Sequence, residues 1–105
     1  MEFKPGVSLK GMTPQILLGL IEAEKVYKNR LLTMTVTSMN DSKHKEGSLH
    51  YRGLAADLRT KGTGSATSLF GDLKNKLQPM GFDVILEFLG QEQEHIHIEH
   101  DPHGV

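Results

Sequence analysis

The chain contains no cysteine and no tryptophan, has only four prolines, and carries almost balanced charge. Without thiols there is no disulfide framework and no thiolate nucleophile, so any metal has to be held by nitrogen and oxygen. The 12 basic and 13 acidic residues leave a formal net charge of -1, which is not the footprint of a protein that tracks a phosphate backbone. Nucleic acid is therefore not an expected partner. No apolar run approaches the ~20 residues that span a bilayer, so membrane insertion is not expected. The opening MEFKPGVSLKG lacks the apolar core of a secretory signal. The expectation is one soluble domain over residues 1–105, a monomer without a signal peptide. What the chain does have is histidine. All six lie at or after His44, and four fall in the tract HIHIEHDPH. His100 and His103 read as a solvated tail, whereas His95 and His97 alternate with isoleucines.

Thr13-Pro14 makes a helix start, a capping hydroxyl followed by proline at the first helical position. Ile16, Leu17, Leu20, Ala23 and Tyr27 then recur at helical spacing, which predicts a helix over 13–28. LLTMTVTS (31–38) is rich in β-branched residues and puts Leu32, Met34 and Val36 on one face of a strand. Residues 39–53 are polar and read as a long loop that delivers His44 and His50 to one end of the sheet. A short strand is expected at 54–60. Gly64-Ser65 opens a second helix with Ala66, Leu69, Phe70, Leu73 and Leu77 on one stripe, closed by Pro79 and Gly81.

FDVILEF and EHIHIEH read as two strands around Gly90. If Val84, Leu86, Ile96 and Ile98 share the buried face, opposed residue numbers must have an even sum. A three-residue loop at Gly90-Gln91-Glu92 meets that condition. It sets Leu86 opposite Ile96 and Glu87 opposite His95, with His97 next on the same face. The element order predicts an α+β domain, a small, mainly antiparallel sheet with two helices packed on one face.

SLHYRGLAAD carries the chemistry. In an extended GLAAD, Gly53, Ala55 and Asp57 point to one side, so the aspartate stands on a floor without bulk. The odd separation of His50 from Asp57 puts them on opposite faces of a straight strand, so a turn at 51–53 has to fold His50 back if both serve one ion. His97 is the candidate third ligand. Two histidines and a carboxylate leave an open position, as in a catalytic zinc site. Such a site needs a nearby carboxylate to move protons, for which the register nominates Glu87, while His95 is placed to hydrogen-bond an oxyanion.

SLHYRGLAADL and EHIHIEHDP resemble the zinc motifs of the superfamily that joins D-alanyl-D-alanine carboxypeptidases, phage peptidoglycan endopeptidases and the signalling domain of hedgehog proteins. Ser48, His50, Gly53, Ala55, Asp57, His95 and His97 match its pattern, and the resemblance runs from about Thr35 to Pro102. It implies one zinc ion on His50, Asp57 and His97, a cleft lined by His95, His44 and Ser48, and hydrolysis of peptidoglycan stem peptides as carboxypeptidase or endopeptidase. It also implies a phage or bacterial origin and action at the bacterial cell wall, reached from the host cytoplasm or with a phage particle. The family's general base precedes the late histidine, and here Glu87, Glu94 and Glu92 all remain candidates. Carboxypeptidase relatives hold the substrate carboxylate with an arginine ahead of the first ligand; this chain offers Lys43 or Arg52 instead. Of the hedgehog calcium cluster only Asp41 is present, so calcium is not expected.

Two other classes compete with the peptidase. A hedgehog-like module would bind zinc without turnover. A non-haem iron oxygenase would use the same ligand types, but usually with the carboxylate two residues after the first histidine, unlike the seven here. The bland alternative is a histidine oriented by a carboxylate at His50 and Asp57, and a solvated strand face at His95 and His97.

Overall fold

A computed structural model describes residues 1–39 and 54–100. In chain order the elements are β1 (Glu2–Phe3), α1 (Pro14–Asn29), β2 (Thr35–Ser38), β3 (Ala55–Arg59), α2 (Ala66–Leu77), β4 (Phe82–Glu87) and β5 (His95–His100), with a short 3-10 turn at Gln78–Met80 after α2. The fold is α+β.

Both helices begin where their side chains cap them. The Thr13 hydroxyl accepts the Ile16 N–H at 3.3 Å, and the Ser65 hydroxyl accepts the Ser68 N–H at 3.1 Å. Ile16, Leu20, Ala23 and Tyr27 of α1, and Leu69, Leu73 and Leu77 of α2, are buried, as their helical spacing predicts, whereas Leu17 of the first stripe is exposed and Ala66 and Phe70 of the second are only half-buried. Gly81 takes the left-handed conformation, φ 89°, and releases the chain into β4.

The sheet order is β1-β2-β3-β5-β4, parallel between β1 and β2 and antiparallel elsewhere. Val36, Ala56, Leu58, Val84, Ile96 and Ile98 are buried in one core with both helices, and Leu86 packs against it. Polar bonds tie α1 to the sheet and to α2. The buried Tyr27 hydroxyl donates to the Arg59 carbonyl at 2.9 Å, and burial pushes the Tyr27 phenol well above its ordinary pKa. The Arg30 guanidinium reaches Asp72 and, at 2.7 Å, Ser68 on α2.

Three features differ from the sequence reading. β1 was not anticipated; it is held by Glu2 N–H on the Met34 carbonyl at 2.8 Å and Lys4 N–H on the Val36 carbonyl at 2.9 Å. The strand expected at 31–38 begins only at Thr35, because Leu31 is left-handed, φ 60°, and Leu32 N–H still bonds to the Tyr27 carbonyl of α1. The expected three-residue tip is instead a connection over 88–94, begun by Phe88 at φ 54° and bridged by the Glu94 carboxylate on the Gly90 N–H at 2.7 Å. The longer tip keeps the same register: Leu86 faces Ile96 and Glu87 faces His95.

Among the described residues no helix is long and apolar enough to cross a membrane. At Gly19 of α1 an added methyl would run into the ring of Phe82, which is itself 3% exposed. Gly19→Ala is therefore expected to destabilise the fold by about 1–3 kcal/mol through overpacking despite its gain in helix propensity. Gly71→Ala in α2, where nothing lies near the added methyl, is expected to stabilise by about 0.5–1 kcal/mol. Urea denaturation of the two variants checks both signs.

Candidate metal centre

Side chains alternate along β5, so with Ile96 and Ile98 in the core, His95, His97 and Glu99 stand on the face away from the helices. The pairings Asp57↔His97 and Arg59↔His95 bring in β3, and Glu87↔His95 and Ile85↔His97 bring in β4. Three strands thus meet at one patch.

Asp57 is its hub. Asp57 Oδ1 lies 2.8 Å from His97 Nδ1 and 3.7 Å from His95 Nε2, and Glu87 Oε1 lies 3.1 Å from His95 Nε2. The far nitrogen of His97, Nε2, is 3.0 Å from Glu99 Oε1. The far nitrogen of His95, Nδ1, donates to the Gln93 carbonyl at 2.8 Å. The Phe88 ring, 5.8 Å from His95 between centroids, covers one side.

The acceptors determine what these rings must carry. A carboxylate can only accept, so with Asp57 on one nitrogen and Glu99 on the other, metal-free His97 is satisfied as an imidazolium. Burial opposes that charge, but the hydrogen bond and charge of Asp57, with Glu99 behind them, outweigh it and raise the His97 pKa above the ordinary histidine value. For His95, the Gln93 carbonyl keeps a proton on Nδ1 and turns Nε2 toward two carboxylate oxygens. Only a second proton or a cation satisfies that arrangement.

A divalent ion fits it. Asp57, Glu87 and His95 offer one ligand atom each within 4.8 Å of one another. Ligand atoms about 2.0–2.2 Å from a tetrahedral zinc stand roughly 3.3 Å apart. The contacts of 2.8, 3.1 and 3.7 Å around Asp57 and His95 bracket that spacing. His97, braced at Nε2 by Glu99, presents Nδ1 to the same aspartate in the manner of a carboxylate–histidine–metal relay.

Of the residues nominated from sequence, Asp57, Glu87, His95 and His97 come together on this face. His44, Ser48, His50 and Arg52, with Asp41 and Lys43, lie outside the described residues. Glu94 is engaged elsewhere, by the Gly90 N–H and the Thr60 hydroxyl, and Glu92 is exposed on the connection. Ala55 is fully buried and sits opposite Glu99, and Gly53 lies outside the described residues. Sequence reasoning missed Glu99, although it shares the parity of His95 and His97, and it assigned Glu87 to proton transfer where the geometry also allows it to be a ligand.

The chain matches no family model, and no curated protein or solved structure matches it.

Divalent metal is expected to raise the melting temperature of untagged protein by roughly 10 °C at 100 times its dissociation constant. Chelator should reverse the rise and Asp57→Ala should remove most of it, as differential scanning fluorimetry would show.

Proposed function

We propose that the chain is a zinc-dependent peptidase that hydrolyses an amide bond in peptidoglycan stem peptides at the bacterial cell wall. The observation that carries this reading is the convergence of Asp57, His97, His95 and Glu87 from three strands on one open face. The SLHYRGLAADL and EHIHIEH motifs supply the resemblance that names the substrate.

In this reading Asp57, His97 through Nδ1, and His50 hold the ion. Glu99 accepts the hydrogen of His97 Nε2, which would direct the Nδ1 lone pair to the metal on the side of Asp57. A bound zinc supplies Lewis acidity, bringing the pKa of a water to about 7 and polarising an amide carbonyl. Glu87, about two-fifths exposed, accepts the proton of the attacking water and delivers it to the departing amine. His95 donates its Nδ1–H to the Gln93 carbonyl and turns Nε2 toward Glu87, so a hydrogen shared there with Glu87 would be the one offered to the oxyanion.

Glu87→Gln is expected to keep zinc but lower release of amino groups from purified peptidoglycan by at least about 100-fold. His97→Ala is expected to lose zinc by elemental analysis, and His95→Ala to retain it. The opposite pattern, with zinc lost from the Glu87 and His95 variants and kept in His97→Ala, would put the ion on Asp57, Glu87 and His95 and move proton transfer to Glu94 or Glu92. Zinc in the wild type without any cleavage would favour a hedgehog-like binding module.

A further inference from the structure

One divalent ion does not engage the whole patch. Among the described residues, the donor atoms that lie within 4.8 Å of one another are those of Asp57, Glu87 and His95. His97 is outside that group, although its Nδ1 lies 2.8 Å from Asp57 Oδ1. The patch therefore holds two donor sets, Asp57 with His97 and Asp57 with Glu87 and His95, which share one carboxylate. A carboxylate has two oxygens and about four lone-pair positions, so it can serve two cations at once.

The charge of the patch calls for the second ion. Asp57, Glu87 and Glu99 bring three negative charges, so a single divalent ion among neutral imidazoles leaves one of them uncompensated. Its place is also marked. With one ion on Asp57 and His97, Glu87 Oε1 and His95 Nε2 still face each other at 3.1 Å, while the Gln93 carbonyl holds the Nδ1 hydrogen of His95. Either a hydrogen between the two or a second cation satisfies that pair.

The two sets differ in strength. The side chains of Asp57 and His97 are 13% and 14% exposed, whereas that of Glu87 is 39% exposed. Attraction to the more exposed set is screened by solvent, and an ion there is repelled by the one already bound. The second ion is the weaker one and leaves on dialysis.

We infer that Asp57, Glu87 and His95 form a second zinc site, and that filling it switches the enzyme off. The inference concerns regulation of the peptidase centre and rests on the peptidase reading, with the first ion on the His97 side of Asp57. A cation on Glu87 takes the lone pairs that accept the proton of the attacking water. A cation on His95 Nε2 displaces the hydrogen offered to the oxyanion. The same two side chains cannot do both, so zinc activates when scarce and inhibits in excess.

The test titrates zinc into metal-free, untagged full-length protein by isothermal calorimetry. Two equivalents are expected, the second bound at least about tenfold more weakly than the first. In isotope-labelled protein the second equivalent should shift the backbone amides of Glu87 and His95. His95→Ala and Glu87→Gln should each keep the first equivalent and lose the second. A single equivalent in the wild type, or a second equivalent that persists with unchanged affinity in either variant, would overturn the second site. Release of amino groups from purified peptidoglycan is followed over the same titration. It should rise through the first equivalent and then fall about tenfold at a free zinc concentration ten times the second dissociation constant. Release that stays level through excess zinc would overturn the switch and keep the peptidase. Two equivalents, the second lost in both variants, with no cleavage at any zinc level would keep the second site and overturn the peptidase.

Discussion

The structure depends on strand β5 being bonded on both edges while its side chains alternate. Ile96 and Ile98 are fully buried against the helices, and each such burial stabilises by about 1.5–3 kcal/mol. A slip of one residue against either neighbour would expose both isoleucines and drive two imidazoles and a carboxylate into the core. The register is thus fixed by apolar burial, and the positions of His95, His97 and Glu99 follow from it. The cluster of Asp57, Glu87, His95 and His97, which could hold a metal ion, does not depend on its own bonds for its geometry, because a packed sheet presents it on its outer face.

That presentation sets up an electrostatic tension. Asp57, Glu87 and Glu99 place three carboxylates around two imidazoles, so the patch is negative, and one negative charge is left over even when both rings are protonated. The adjoining cleft has the opposite sign, with Lys4, Arg59 and Lys61 along its walls. A nearly neutral chain therefore places an acidic, histidine-bearing patch beside a cleft with three cationic side chains.

How much of this was legible in the sequence depended on whether a local rule decided the outcome. The helix starts at Thr13-Pro14 and Ser65 were legible because a capping hydroxyl and a hydrophobic stripe coincide there. The pairing of Glu87 with His95 was legible because parity leaves no other way to bury Val84, Leu86, Ile96 and Ile98 together. β1 was not, since two exposed residues carry no periodicity and their pairing with β2 is long-range. The length of the tip between β4 and β5 was hidden as well, because a left-handed Phe88 and a carboxylate captured by a backbone N–H leave no periodic signal. Asp57, Glu87, His95 and His97 were found through residue type and parity. Glu99 has the same parity, but a charged residue on a strand face reads as solvated until its tertiary neighbours are known.

The tip also bears on which glutamate is suited to move a proton. Both oxygens of Glu94 have donors, the Gly90 N–H on one and the Thr60 hydroxyl on the other, and these bonds lower its pKa. A carboxylate held as an anion by two fixed donors is a poor proton carrier, whereas Glu87 touches His95 through one oxygen and keeps access to solvent. Glu94 has a different consequence for the site. By bridging Gly90 and Thr60 it ties the tip to the end of β3, next to the residue whose carbonyl takes the Nδ1 proton of His95. That carbonyl fixes the tautomer of His95 and so the aim of Nε2 at Asp57 and Glu87. The nearest glutamate in sequence thus acts on the centre through the backbone, and the one that touches it arrives from the neighbouring strand.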